Sequence, residues 1–151
     1  MTNNFTTSQN GLNLITEFEG FRSNPYLDQN NIPTIGYGST HYEDGSAVTM
    51  DDDSITKDEA MSLLAIFVKN FENTVNTEVT ADINQNQFDA LIDLVYNIGP
   101  GHFANSTVLK VVNGESDVDI ATAFMMWDVA GGGPNPGLIR RRQAEIDLYN
   151  S

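Results

Sequence analysis

Glu19, Asp28 and Thr34 place two carboxylates and a hydroxyl within sixteen consecutive positions, enough to build a hydrolytic site. Carboxylates in different environments can divide the work, one protonating a leaving oxygen while the other handles water, as in glycoside hydrolysis. A pair alone is a weak sign in a chain with 21 acidic residues, most of which serve solvent. Other chemistries find less support. There is no cysteine, and His41 and His102 are too few for a histidine-rich site, so neither a thiolate nor a histidine-rich metal site is expected. Asp51-Asp52-Asp53 lacks the glycine and distal glutamate of a calcium loop and reads as a solvated acidic loop.

The three residues need elements to position them. Ser8 is a suitable N-cap ahead of Leu12, Ile15 and Phe18 on one helix face, and Gly20 suits a left-handed residue ending that helix, which puts Glu19 in its last turn. Asn24-Pro25 signals a turn; Tyr26-Leu27-Asp28, the loop Gln29-Asn30-Asn31 and a return strand from Ile32 to Gly38 then make a hairpin. Pro33 puts that strand at an edge or has that position facing away from its neighbour, and Gly36 and Gly38 leave backbone that a bulky ligand could approach. Asp44-Gly45 marks a further turn, giving a sheet of two or three strands.

Thr56 and Glu59 form a capping box for one helix from Lys57 to about Asn76, some 30 Å long at ~1.5 Å per residue. Asn84 and Gln87 cap the next helix, which Gly99-Pro100-Gly101 stops. Helices over Ser106 to Asn113, Val118 to Asp128 and Leu138 to Tyr149 follow, with AGGGPNPG as an irregular loop before the last. The expected fold is α+β in a single domain, 1–151. It has a small sheet lobe over about 20–56, a connecting helix over about 57–76, and a helical lobe over about 80–151 that includes the N-terminal helix, about 9–19. A cleft between lobes is the expected ligand site.

Composition narrows the partners. A net charge of -14 repels nucleic acid phosphates and anionic lipid surfaces, so neither is an expected partner, and the scarcity of lysine suits high salt. The first ten residues have neither positive charge nor an apolar run, so no signal peptide or signal-anchor is expected. The longest apolar run, Leu63 to Val68, falls far short of the roughly 20 residues that span a bilayer, and a soluble cytoplasmic protein is expected.

The order Glu19-Gly20, Tyr26-Leu27-Asp28 and Thr34-Ile35-Gly36-Tyr37-Gly38 resembles the motif of the phage-type lysozymes, glycoside hydrolase family 24: E-G, then Y-x-D, then T-I-G-x-G at these intervals. The resemblance runs from about Ser8 to Ser151. It becomes very close to the lambdoid-phage endolysin branch through Gln87 to Leu91, Asn97-Ile98-Gly99, Phe103 to Thr107, Trp127-Asp128 and Gly137 to Arg142. It implies a lysozyme-like fold and a muramidase that cuts the β-1,4 bond between N-acetylmuramic acid and N-acetylglucosamine in peptidoglycan, causing host cell lysis. On this resemblance Glu19 is the general acid, while Asp28 and Thr34 hold the attacking water; inversion, no cofactor, a monomer, and release from the host cytoplasm to the periplasm by a separate holin are expected.

Tyr37, Tyr96 and Asn97 are candidate sugar contacts, the tyrosines through a ring with a hydroxyl and Asn97 through an amide suited to acetamido groups, with a core role the alternative for each. Of Arg140, Arg141 and Arg142, one is expected to pair with Glu19 or Glu17 and the others to lie on the surface. Trp127 is read as core and both histidines as surface residues. The chain departs from the family pattern at Asn31, where glycine is usual, and at Ser39, where histidine is usual. Two other readings stay open: a lysozyme-like module that binds peptidoglycan without cutting it, and a lytic transglycosylase.

Overall fold

A computed structural model describes residues 3–151 and divides the chain into two compact units, Ile15–Lys69, and Met1–Leu14 with Asn70–Ser151. Helix α1, Gln9–Phe18, runs from the second of these into the first.

In the unit of residues 15–69, strands β1, Arg22–Leu27, and β2, Pro33–Gly36, pair antiparallel with Arg22 opposite Gly36, Tyr26 opposite Thr34 and Leu27 opposite Pro33. The expected turn at Asn24-Pro25 lies inside β1 instead. Pro25 has no N–H to give, and the register is irregular between Arg22 and Tyr26, where that loss is tolerated. The return strand is shorter than expected and ends at Gly36. The hairpin loop closes through Asp28 N–H to the Ile32 carbonyl and Asn31 N–H to the Asp28 carbonyl, both at 3.0 Å. Asn31 takes φ 62°, the left-handed region that asparagine enters more readily than other non-glycine residues.

Helix α1 ends differently from expectation. Its last residue is Phe18, Glu19 lies one position beyond with its N–H still on the Ile15 carbonyl at 2.9 Å, and Gly20 is not left-handed. Gly36 also serves another purpose than the one its freedom suggested. A Cβ there would stand 3.0 Å from the Ala60 Cβ, so the bare backbone lets β2 pack on helix α2, Lys57–Phe67, and is not open to a ligand. The capping box of α2 forms in both directions, Glu59 N–H to Thr56 Oγ1 and Thr56 N–H to Glu59 Oε1, each at 3.1 Å. Before it, Asp52 is no solvated bystander: it accepts from Tyr42 Oη at 2.7 Å, Thr49 N at 2.8 Å and Thr49 Oγ1 at 2.6 Å, while Asp51 and Asp53 are exposed.

The single long helix is two helices, α2 and α3, Lys69–Glu78, with a turn at Val68. Val68 keeps helical angles and is 1% exposed, so it satisfies the apolar spacing of an unbroken helix while the ladder resets around it.

In the other unit α4, Gln85–Ile98, packs on α8, Pro136–Tyr149, and α7, Ile120–Met125, also lies against α8. Phe88, Leu91, Ile92, Leu94 and Val95 of α4 are fully buried, as are Phe103, Val108 and Phe124. The Asn84 capping box of α4 forms, with Gln87 N–H to Asn84 Oδ1 at 2.8 Å. Gly99, at φ 94°, ends α4 as expected, but Pro100 is the first residue of a short helix α5, Pro100–Ala104, because a missing N–H costs nothing at that position. Helix α6 covers Thr107–Val112 with Ser106 as its N-cap. Helix α7 is shorter than its expected span, starting from Asp119 as N-cap. The glycine-rich loop carries a minimal hairpin, β3, Val129–Ala130, and β4, Gly133–Pro134, turned by Gly131 and Gly132 at φ 63° and 86°.

The N-terminal segment is tied down by side chains. Phe5 N–H donates to Asn76 Oδ1 at 3.0 Å and Asn76 Nδ2 to the Phe5 carbonyl at 2.9 Å. Ser8 starts α1 with its carbonyl, which accepts from Leu12 N–H at 3.0 Å. Its hydroxyl is not a cap but donates to the buried Asp89 carboxylate. Among the described residues no helix is long and apolar enough to cross a membrane.

Candidate active site

Glu19, Asp28, Thr34 and Tyr37 all belong to the unit of residues 15–69. Asp28 stands where β1 gives way to the loop, and its position is set by backbone donors: Oδ1 accepts Asn30 N–H at 2.8 Å and Ile32 N–H at 3.0 Å. The second oxygen, Oδ2, has no protein hydrogen bond among the described residues. Thr34, on β2, is 3% exposed and donates its hydroxyl to the Ile32 carbonyl at 2.8 Å. That leaves the Thr34 oxygen only its lone pairs to offer.

Tyr26 is the residue around which these groups gather, and the sequence had given it only a motif position. It pairs with Thr34 across the hairpin, and the Arg22 guanidinium lies over its ring at 4.6 Å. Burial raises the Tyr26 hydroxyl above its ordinary value; Arg22 opposes this, and the charges of Glu19 and Asp28 raise it further. Both carboxylates are therefore within electrostatic reach of one phenol. Periodicity could not single out this tyrosine, because a half-buried ring on a strand is ordinary.

The candidate sugar contacts divide. Tyr37 is 8% exposed, with its ring 5.6 Å from that of Phe21. Tyr96 and Asn97 end α4 in the other unit, both half-buried; Tyr96 meets Phe71 edge-on at 5.5 Å, and Asn97 Oδ1 accepts from Arg142 Nη2 at 2.8 Å. Trp127 is half-buried beside the exposed His102 ring, 5.5 Å away. Ser39, at the departure from the family pattern, is 2% exposed, and its hydroxyl is buried with no hydrogen-bond partner among the described residues.

The arginine run corrects one expectation. Arg140 is exposed, but Arg141 and Arg142 are buried and do not serve the surface. Arg141 grips Asp93 with two bonds, Nε to Oδ2 at 2.9 Å and Nη2 to Oδ1 at 2.8 Å. Arg142 Nε lies 2.7 Å from Glu145 Oε1, with Nη2 to Glu145 Oε2 at 3.0 Å. Burial penalises the charge of Asp93, yet hydrogen bonding with Glu145 and the Arg141 guanidinium together hold it below its ordinary value. Burial, then the adjoining Asp93, push Glu145 well above the usual carboxylate range, with Arg142 and Arg141 opposing. Asp93 and Glu145 thus share a site that favours one ionised and one protonated carboxyl.

These features match those of known proteins. The phage lysozyme family pattern covers residues 16–145. The endolysin of Salmonella phage P22 is 39% identical over 136 residues, 90% of this chain and 92% of that protein. A crystal structure of a P22 lysozyme mutant superposes with a TM-score of 0.86 at 37% identity, over 98% of this chain and 100% of that one. The muramidase domain of SpmX from Asticaccaulis excentricus superposes with a TM-score of 0.81 at 30% identity, over 98% and 99%. With most of its length matched at this level, and the hairpin motif in place, the chain belongs to the phage lysozyme family.

Proposed function

We propose that the chain is an endolysin-type muramidase that hydrolyses the β-1,4 bond between N-acetylmuramic acid and N-acetylglucosamine in bacterial peptidoglycan. The observation that carries this reading is Glu19 at the end of α1, followed by a hairpin that carries Asp28 on its loop and Thr34 opposite Tyr26, in a member of the phage lysozyme family. The names of the P22 endolysin and the SpmX muramidase domain support the substrate class.

Glu19 protonates the leaving glycosidic oxygen. Asp28 Oδ2 is a carboxylate oxygen and the Thr34 proton is committed to the Ile32 carbonyl, so both offer lone pairs to a water. A water held between two acceptors gives one O–H to each and keeps a lone pair for the anomeric carbon. Attack from the face opposite the leaving group forms the new C–O bond as the glycosidic one breaks, passes the water's proton to the Asp28 carboxylate that holds it, and inverts that carbon. Action as a monomer released by a holin belongs to the same reading, by likeness to the lambdoid-phage endolysins.

Purified peptidoglycan treated with the protein should release soluble fragments with new reducing ends, the first of them α-anomeric by NMR. Glu19→Gln should slow this release by at least ~10²-fold, the usual contribution of a positioned proton donor. An unchanged rate in Glu19→Gln overturns the acid assignment. Mass analysis of the fragments decides against the two other readings: 1,6-anhydro ends mean a transglycosylase, and binding to sacculi without release means a non-cutting module.

A further inference from the structure

In a chain of net charge -14, Arg22 is the one cation of the hairpin, residues 22–36. It is exposed, and its guanidinium carbon stands 4.6 Å from the centre of the Tyr26 ring. The ring attracts the charge without supplying an oxygen, and no described residue forms a salt bridge with the Arg22 side chain or accepts a hydrogen bond from it. Stacking narrows the positions that a long side chain can take, so the guanidinium is steadied with its donors uncommitted. Its place in the ladder gives those donors a direction. Tyr26 stands opposite Thr34, and directly opposed residues of an antiparallel pair project to the same face. Asp28, two positions after Tyr26, continues the ladder through its N–H to the Ile32 carbonyl and belongs to that face as well. The guanidinium therefore shares a face with both groups that hold the attacking water.

We infer that Arg22, steadied by the Tyr26 ring, binds a carboxylate carried on the lactyl arm of N-acetylmuramic acid. The sugar that this water attacks is N-acetylmuramic acid, which differs from N-acetylglucosamine by that arm. The arm ends in a carboxylate where the peptide has been removed, and it bears the carboxylates of the stem where the peptide is present. Carboxylate chemistry is common to both, and a guanidinium fork meets it with two parallel N–H···O bonds. A local cation also offsets the repulsion between an acidic protein and an acidic polymer at the place where they must touch. The inference rests on the muramidase reading and deepens it, naming the substrate group that distinguishes the sugar at the reacting position.

A protein-by-substrate cycle tests it. Hydrolysis by wild type and Arg22→Gln is compared on two pairs of glycan strands. The first pair keeps its peptides, with the carboxylates free or converted to methylamides; the second has had its peptides removed by an amidase, with the lactyl carboxylates free or converted in the same way. Wild type should prefer free over converted carboxylates in kcat/KM by about 10-fold more than Arg22→Gln does, with the difference in KM. A coupling confined to the first pair assigns the carboxylate to the stem, and one that persists in the second assigns it to the lactyl group; either supports the inference. Equal preference of the two proteins on both pairs overturns it, even if Arg22→Gln is slower on every strand, because a merely supporting contact would slow all of them alike. Tyr26→Leu removes the ring and keeps Arg22, so it should lose part of the same preference; full retention in a folded Tyr26→Leu overturns the steadying role of the ring. If that variant does not fold, Arg22→Gln still decides the carboxylate. Wild type that releases no reducing ends from any strand signals failure of the muramidase reading, which is separate from an enzyme that cuts without the coupling.

Discussion

The loop around Asp28 and the buried cluster around Asp93 hold an aspartate in opposite ways. Asp28 is fixed through one oxygen by two backbone N–H groups of its own loop, and its other oxygen is left for solvent or substrate. Asp93 has both oxygens in the fork of Arg141, at 2.9 and 2.8 Å, and is 0% exposed. Backbone donors position a carboxylate without neutralising it, which suits a group that must meet water. A guanidinium fork neutralises and encloses it, which suits support. Sequence spacing marks the first kind, because loop and strand are local, while the second joins residues 48 apart.

The largest stability effect should come from removing one side of the fork. Asp93→Ala breaks the buried fork with Arg141, 5% exposed at its side chain, and should cost about 3–5 kcal/mol in urea unfolding. Asp28→Asn should cost under about 1 kcal/mol, because an amide oxygen can still accept from Asn30 and Ile32, while hydrolysis falls by at least ~10²-fold. Comparable losses of stability in the two variants would erase the contrast between a working and a supporting aspartate.

The two carboxyls of the cluster should also separate by pH. Glu145 is raised in the folded state, so its contribution is fully present below its unfolded value of about 4.5 and is lost as pH rises through the folded value. Asp93 is lowered, so its contribution is present above about 3.8 and is lost as pH falls through its folded value. Glu145→Gln imitates the protonated form and removes the first dependence. The stability of wild type relative to Glu145→Gln should therefore decline as pH rises from 5 to 9, at no more than about 1.4 kcal/mol per pH unit. A flat difference in urea unfolding across that range would mean that Glu145 is ionised throughout, with Arg142 outweighing burial.

The same locality explains what could be read from the sequence. Both capping boxes were legible because each is made by two residues three positions apart, and the Asn31 hairpin because one left-handed residue closes it. Pro100 was read as a stop, although proline opens a helix as readily as it prevents one from continuing. The turn at Val68 was hidden because a buried valine with helical angles meets every requirement of an unbroken pattern. The Gly131-Gly132 turn was read as loop because its strands are two residues each, too short to show alternation. Of the site, the motif marks Glu19, Asp28 and Thr34; the hold of Arg142 on Asn97, 45 residues apart, depends on tertiary packing.

The smallest effect sharpens the contrast from the other side. In the cluster each buried charge faces an opposite charge, but Ser39 buries a hydroxyl with no hydrogen-bond partner among the described residues. Folding strips that group of water and returns no bond, a cost of about 1–3 kcal/mol for an unsatisfied polar group. Ser39→Ala removes the hydroxyl and leaves only a small void, whose lost contacts offset part of the gain. The net expectation is a stabilisation of about 1 kcal/mol in urea unfolding, with hydrolysis unchanged because Ser39 has no part in the proposed acid or water-holding roles. Destabilisation by a similar amount would mean that the hydroxyl has a bound water as its partner, so that polar groups beside the hairpin are as fully satisfied as those of the cluster.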